Sequence, residues 1–148
     1  MPDSTLYRTL TYAGSIPFVA CALLPYVGIT TLGPLGAWHE VMILYGLAIA
    51  SFLAGTHWAF ELARPGAYPV SLFVISNVIV LATWFGSLLG PVSFALAVQC
   101  AAFITLLVVD GVVAARGGTT AEYWHLRQRI TAIVLAALVL GILEPWLA

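Results

Sequence analysis

The sequence predicts an all-α fold, an integral membrane bundle of five transmembrane helices. Three observations predict it. Of the 148 residues, 62% are hydrophobic and only 7% are charged, whereas soluble domains contain about 25% charged residues. The mean hydropathy is +1.06, so almost no part of the chain is expected outside a bilayer. Finally, turns rich in glycine and proline separate five apolar stretches that each approach the roughly 20 residues needed to cross the hydrocarbon core.

Turn-forming residues bound these five stretches. We expect one transmembrane domain over residues 1–148, with helices at about 6–27, 37–61, 69–88, 92–114 and 128–146. Pro17 lies inside the first helix and lacks a backbone donor, so we expect a kink there. Thr120 can cap a short amphipathic segment, 121–129, that leads into the fifth helix. The apolar run after Arg8 also fits a signal peptide, but we expect a retained helix.

The second predicted helix, 37–61, is expected at the centre of the bundle because two of its faces carry small residues. One stripe has spacings of 7, 4, 4, 3 and 4 residues and contains His39, Gly46, Ala50, Ala54, His57 and Glu61. The other stripe, roughly opposite, contains Ser51, Gly55 and Ala59. Small residues let helices approach closely in lipid. We therefore expect helix packing at Gly46, Ala50, Ala54, Ser51 and Gly55.

The basic residues predict the orientation in the membrane. All five are arginines: Arg8, Arg64, Arg116, Arg127 and Arg129. With five helices they all fall on one side, and one missed or extra helix would scatter them over both. The positive-inside rule then places the N terminus in the cytoplasm and the C terminus outside. We expect a multi-pass protein of the bacterial inner (cytoplasmic) membrane, in contact with the lipid bilayer.

The same topology brings ionisable side chains to one depth on the cytoplasmic side. The candidate polar cluster contains His57, Glu61, Asp110, His125, Arg127 and Arg129. In a structural interpretation, Asp110 pairs with Arg127 or Arg129 and locks two helices together. In a functional interpretation, ionisable groups that face the bundle interior bind a ligand or handle protons, since His57 lies one turn from Glu61.

Other classes of site have less support in the sequence. Haem ligation by His57 and His125 is conceivable, but His125 is expected at the interface, whereas a membrane haem is held inside facing helices. We expect no cofactor and no metal, because Cys21 and Cys100 lie in apolar runs without metal-ligand spacing. We expect no enzyme, because HExxH and GxSxG are absent. The net charge of −1 excludes a nucleic-acid footprint.

Three motifs carry a resemblance to a known family. They are SFLAGTHW at Ser51–Trp58, TYAGSIPF at Thr11–Phe18, and Tyr123–Arg127 before Thr131. With these motifs the chain resembles, over nearly its whole length, the small multi-pass proteins typified by transmembrane protein 69 of bacteria and mitochondria. Ala54 stands where a second glycine is common, and Asp110 and Arg127 match polar positions. The resemblance implies five helices and an inner-membrane location, and it implies no activity.

Two hypotheses about function follow from these features. The first is a non-enzymatic accessory, structural or assembly subunit that packs against other membrane protein subunits of a larger complex in energy metabolism. The small extramembrane parts and the packing surface of the second helix favour it. The second is a small carrier or a lipid- or quinone-binding protein, with a polar pocket on the cytoplasmic side that handles protons or anions.

Overall fold

The fold is an all-α bundle, as the composition predicts. A computed structural model describes residues 4–147. Its α-helices are α1 (Ser4–Ala13), α2 (Ile16–Leu23), α3 (Trp38–Ala63), α4 (Leu72–Leu89), α5 (Val92–Ala115) and α6 (Ala121–Leu147). Five segments are long and apolar enough to span a membrane, the first of them running through α1 and α2 as Thr5–Val27. The chain is a multi-pass membrane protein.

The first membrane span is interrupted where Pro17 predicts a kink. Helix α1 ends at Ala13 and α2 begins at Ile16, because the proline ring cannot continue the hydrogen-bond ladder. Side-chain hydroxyl groups donate hydrogen bonds to backbone carbonyls at this break. Tyr45 of α3 donates to the Gly14 carbonyl at 2.9 Å, and Ser15 donates to the Tyr12 carbonyl at 2.7 Å. As a result, α1 packs chiefly against α6, whereas α2 packs against both α3 and α6.

Helix α3 contacts α2, α4 and α5, but α5 and α6 also have three neighbouring helices each, and α5 is the most buried of the five spans, so α3 is not distinguished as the central helix. Gly46, Ala50, Ala54 and His57 of its first stripe are all buried. The second stripe differs from expectation. Gly55 is exposed and has open space around it, since a Cβ added there would meet no atom within 4 Å. Within the described residues, α3 therefore packs closely on one small-residue face and leaves the other largely open.

Gly46 allows a close approach between α3 and α5. The side chain of Gln99, which is 0% exposed, lies directly over it. The amide Nε2 of Gln99 donates to the Ile43 carbonyl at 2.7 Å. A Cβ at position 46 would overlap the amide oxygen and carbon of Gln99. The glycine therefore provides the space in which one helix hydrogen-bonds to the backbone of another.

The fifth span starts earlier than the predicted residue 128. Helix α6 runs without interruption from Ala121, because no glycine or proline separates the amphipathic segment from the apolar one. Thr120 caps it as predicted, its Oγ1 accepting from the Tyr123 amide at 3.2 Å. The polar residues of this segment are consequently held in a regular helix, and their directions follow the helical period.

The arginine-bearing loops lie together at one end of the bundle. Arg64 donates to the Arg116 carbonyl at 2.7 Å, and Arg116 donates to the Ala67 carbonyl at 3.1 Å. Arg8 lies 3.8 Å from the Glu122 carboxylate. These contacts join the α3–α4 loop to the α5–α6 loop and α1 to α6. The structure thus gathers the arginines at one end, which we call the arginine end.

Candidate functional site

A buried triad of ionisable side chains joins three helices near the arginine end. The Asp110 carboxylate of α5 is its centre. One oxygen, Oδ1, lies 2.9 Å from His57 Nε2 of α3, and the other, Oδ2, accepts from Arg127 Nε of α6 at 2.7 Å. The exposed fractions are 0% for His57, 6% for Asp110 and 4% for Arg127. One carboxylate therefore ties α3, α5 and α6 together away from lipid.

The contacts of the triad favour one tautomer of His57. An ionised carboxylate only accepts, so His57 Nε2 carries the hydrogen. His57 Nδ1 is buried without a partner, and a second proton there would be an unsatisfied buried donor. The neutral Nε2–H tautomer fits the geometry, and Arg127 supplies the charge that balances Asp110. The triad is then a neutral, enclosed unit.

The six residues of the predicted polar cluster do not form one site. His57, Asp110 and Arg127 meet, whereas the other three have separate surroundings. The Glu61 carboxylate accepts from the Leu72 amide at 3.1 Å and so binds the first turn of α4. His125 and Arg129 are exposed on α6. Arg127, not Arg129, is the partner of Asp110, because these two arginines lie two positions apart and point to different sides of the helix.

The two histidines considered for haem also have different surroundings. His57 is fully enclosed and its Nε2 is engaged by Asp110. His125 is exposed, and its Nδ1 lies 3.3 Å from Gln128 Oε1. The two imidazoles therefore differ in exposure and in hydrogen-bond partner. Among the described residues there is no group of three or more His, Cys, Asp or Glu side chains that could hold a metal ion.

A large cavity lies beside the triad, and we call it the lateral groove. It has a volume of about 970 Å³ and is bounded by α1, α2, α3, α5, α6 and the two loop residues before α6, Thr119 and Thr120. Leu10 of α1 and Phe52 of α3 line it and are 63% and 71% exposed. The groove is therefore open to the surroundings between α1 and α3. In a membrane protein this opening faces the acyl chains of the bilayer.

The lining of the lateral groove changes from polar to apolar along the bundle axis. The lining at the arginine end includes Tyr7, Thr119, Thr120, Glu122 and Tyr123. The lining nearer the middle of the bundle includes Phe18, Ile49, Leu53, Phe103 and Val134. Arg127 and Thr131 lie between these two parts, one helical turn apart on α6. The polar residues of the lining thus lie mainly toward the arginine end, where the apolar Leu10 and Phe60 also line the groove.

Two polar atoms at this middle level have no partner within the described part of the chain. Arg127 Nη2 and Thr131 Oγ1 are both buried and make no hydrogen bond. Two other hydroxyls of the groove bond within their own helices: Thr11 donates to the Tyr7 carbonyl and Thr56 to the Leu53 carbonyl. His57 Nδ1, the Tyr68 hydroxyl and Gln99 Oε1, outside the groove, are also buried without a partner among the described residues, so unpaired atoms do not distinguish the groove.

No pattern in the sequence predicts this groove. Thr131 appeared only as the end of a motif, because a single threonine in an apolar helix gives no signal of its own. The groove depends on where the break at Gly14 leaves α1 relative to α6, and hydropathy does not report that distance. Pro17 is the residue that could have indicated the groove, because a kinked first span leaves space beside the neighbouring helices.

Comparison with known proteins gives one assignment. A family described as "Protein of unknown function (DUF3429)" matches residues 4–143, which include α1 to α5, most of α6 and all three members of the triad. No curated protein and no solved structure matches the chain. The likeness to the transmembrane protein 69 proteins remains a resemblance. Because the match covers nearly the whole chain, this membrane protein belongs to the DUF3429 family.

Proposed function

We propose that the protein is a non-enzymatic binding protein for a lipid-like or quinone-like amphiphile, held in the lateral groove. The observation that carries the proposal is the groove itself, which has a mainly apolar lining, carries Tyr7, Glu122 and Tyr123 toward the arginine end, and is open between α1 and α3. A volume of about 970 Å³ lies at the upper end of small-molecule sites. The open side between α1 and α3 gives a molecule in the bilayer direct access.

The proposal separates this groove from the triad. His57 and Asp110 are enclosed and bonded to each other, which supports a structural role for them rather than an open pocket for protons or anions. Arg127 belongs to both features, with Nε on Asp110 and other atoms at the groove wall. We further propose the bacterial inner membrane as the location, with the arginine end and the N terminus in the cytoplasm.

Photo-crosslinking tests the groove directly. A photoreactive phenylalanine analogue replaces Phe52, which lines the groove, and in a matched variant it replaces Phe94. Both positions are exposed on membrane helices, at 71% and 50%, so both meet bulk lipid. With a clickable decyl-benzoquinone probe in vesicles, we expect labelling at position 52 to saturate and to be displaced by unlabelled quinone. Labelling at position 94 should rise in proportion to the probe concentration.

The comparison between the two positions decides the outcome. Equal, non-saturable labelling at Phe52 and Phe94 would show that the groove holds only bulk lipid, and the proposal would be wrong. The same experiment with a clickable acylglycerol covers the lipid-like alternative. Both variants retain the triad and the Gly46 contact, so loss of folding is not expected to explain a difference.

A second candidate is an accessory or assembly subunit of a larger membrane complex in energy metabolism. The open face of α3 at Gly55 and Ala59 favours it, because both residues are exposed and a small-residue face in lipid suits a partner helix. In this interpretation a helix of another subunit covers the face that no described helix of this chain covers.

A pull-down from native membranes in mild detergent tests this candidate. We expect Gly55→Leu to abolish a stoichiometric co-purifying subunit, because the larger side chain prevents close approach. The variant should fold, since no atom lies within 4 Å of an added Cβ. Val78→Leu, on the exposed face of α4, is the control and should retain the subunit. Equal recovery with both variants, or no stoichiometric subunit with the native sequence, counts against the second candidate.

A further inference from the structure

We propose that a crevice between α1 and α6 at the arginine end binds an anionic phospholipid, with the lipid phosphate held by Arg8 and Arg129. We call it the α1–α6 crevice. Its lining consists of Arg8, Tyr12, Glu122, His125, Leu126 and Arg129. Of these residues only Glu122 also lines the lateral groove, so the crevice is a second site on another face of α1.

The helical period brings the two arginines to the same crevice. Arg8 and Tyr12 lie four residues apart on one face of α1, and His125 and Arg129 lie four residues apart on one face of α6. The two helices contact each other, and the crevice between them has a volume of about 310 Å³. Two guanidinium groups from different helices therefore border one space.

Both arginines are accessible to a ligand. Arg129 is exposed, and it makes no hydrogen bond or ion pair with the part of the chain that the structure describes. The Arg8 side chain is 54% exposed, and its Nη1 lies 3.8 Å from Oε1 of Glu122, whose side chain is 56% exposed. An exposed ion pair of this kind contributes little, so Arg8 keeps N–H groups that can donate to another anion.

The charge of the crevice favours a ligand with one negative charge. Arg8 and Arg129 carry two positive charges, and Glu122 carries one negative charge. The lining therefore has a net charge of +1 when His125 is neutral. A phosphodiester with an uncharged head, as in phosphatidylglycerol, balances this charge, whereas the ammonium group of a zwitterionic lipid would lie beside two arginines. Guanidinium groups donate paired hydrogen bonds to phosphate oxygens, and basic pockets between membrane helices bind anionic headgroups.

The position of the two arginines along their helices matches the level of the lipid headgroups. Arg8 is the only charged residue in the first span, Thr5–Val27. After Arg129 the next charged residue of α6 is Glu144. Each arginine thus marks the boundary between a polar and an apolar segment, from which a long basic side chain reaches the interface.

An apolar surface continues from the crevice along the first span. A neighbouring cavity of about 590 Å³ shares Arg8 and Tyr12 with the crevice and extends to Ala13 and Ile16. Ile16 is 62% exposed. A phosphate beside the arginines would place an acyl chain of the same molecule on this surface. A free phosphate ion would leave the surface uncovered, so the lining favours a lipid over an inorganic anion.

Photo-crosslinking at Ile16 tests the crevice, because a label there meets the acyl chain and leaves both arginines unchanged. A photoreactive phenylalanine analogue replaces Ile16 and, in a matched variant, Val108 of α5, which is 61% exposed. The probe is a clickable phosphatidylglycerol in phosphatidylcholine vesicles. We expect labelling at position 16 to saturate. Unlabelled phosphatidylglycerol should displace it at least about fivefold more effectively than phosphatidylethanolamine. Labelling at position 108 should rise in proportion to the probe concentration.

Two glutamine variants separate a specific contact from general attraction to the arginine end. Arg129→Gln should lower the apparent affinity for phosphatidylglycerol about fivefold, the effect of one basic residue near an anionic lipid. Folding should be unaffected, because Arg129 is exposed. Arg116→Gln is the matched control. It removes the same charge at the arginine end, but Arg116 does not line the crevice and donates to the Ala67 carbonyl. It should leave the affinity unchanged.

The outcomes that overturn the proposal are distinct from those that test the lateral groove. Equal displacement by phosphatidylglycerol and phosphatidylethanolamine, or equal losses for Arg129→Gln and Arg116→Gln, would show that the crevice does not recognise an anionic head. Displacement by inorganic phosphate as effective as that by phosphatidylglycerol would assign the arginines to a free anion. Non-saturable labelling at position 16 would remove the site. None of these results changes the quinone labelling expected at Phe52.

Discussion

Replacement of Asp110 by leucine is expected to lower the free energy of unfolding by about 3–5 kcal/mol. The substitution removes the carboxylate that balances Arg127, which is 4% exposed, and leaves an uncompensated guanidinium inside the bundle. It also removes the acceptor of His57. The measurement is unfolding in mixed detergent micelles, followed by circular dichroism. A loss below about 1 kcal/mol would show that the triad does not hold α3, α5 and α6 together.

Second-site variants identify the charge as the cause. Asp110→Leu combined with Arg127→Met should recover most of the lost stability, because both charges are then absent. The remaining deficit should be about 1–3 kcal/mol, the cost of leaving the His57 Nε2 donor unpaired. Arg129→Met is the matched control on an exposed position of the same helix and should change stability by less than about 0.5 kcal/mol.

Replacement of Gly46 by alanine is expected to cost about 1–3 kcal/mol, the usual penalty for overpacking. The new methyl group would overlap the Gln99 amide, which would have to give up its hydrogen bond to the Ile43 carbonyl. In the same unfolding assay, Gly55→Ala is the control on the opposite face of α3. With no neighbour within 4 Å, it should be neutral or stabilise by up to about 1 kcal/mol.

A double-mutant cycle tests whether Gln99 is the cause. Gln99→Ala creates space above Gly46, so the second substitution, Gly46→Ala, should cost much less in that background than in the native chain. An equal cost of Gly46→Ala in both backgrounds would place the strain elsewhere, for instance in the backbone of α3.

Much of the fold could be predicted because it depends on local properties. Hydropathy and turn residues give the number and order of the spans, and Pro17 gives the break in the first. The buried stripe through Gly46 and His57 follows from the helical period. The pairing of Asp110 with Arg127 was one of two alternatives, since the sequence places both arginines at the same depth and the rotation of α6 decides between them.

The remaining features depend on distances between helices, which no local pattern encodes. Glu61 belongs to the same stripe as His57, yet its longer side chain reaches the start of α4 instead of the triad. Gln99 was recognised as polar, but its position over Gly46 depends on how closely α3 and α5 approach. Gly55 is open because no helix among residues 4–147 packs on it, and composition cannot distinguish an open small-residue face from a packed one.

Because the first span is interrupted, we expect α1 to open separately from the rest of the bundle. Helix α2 is joined to the core through Phe18, Cys21 and Ala22, which are all buried, whereas α1 meets chiefly α6. The backbone hydrogen bonds are irregular at this junction, where the Ser15 amide donates to the Tyr12 carbonyl three residues earlier, so we expect α1 to open without unfolding the rest. Such sub-global opening requires less free energy than global unfolding. We therefore expect the amide protons of α1 to exchange with solvent through a separate fluctuation of lower free energy that leaves the triad intact.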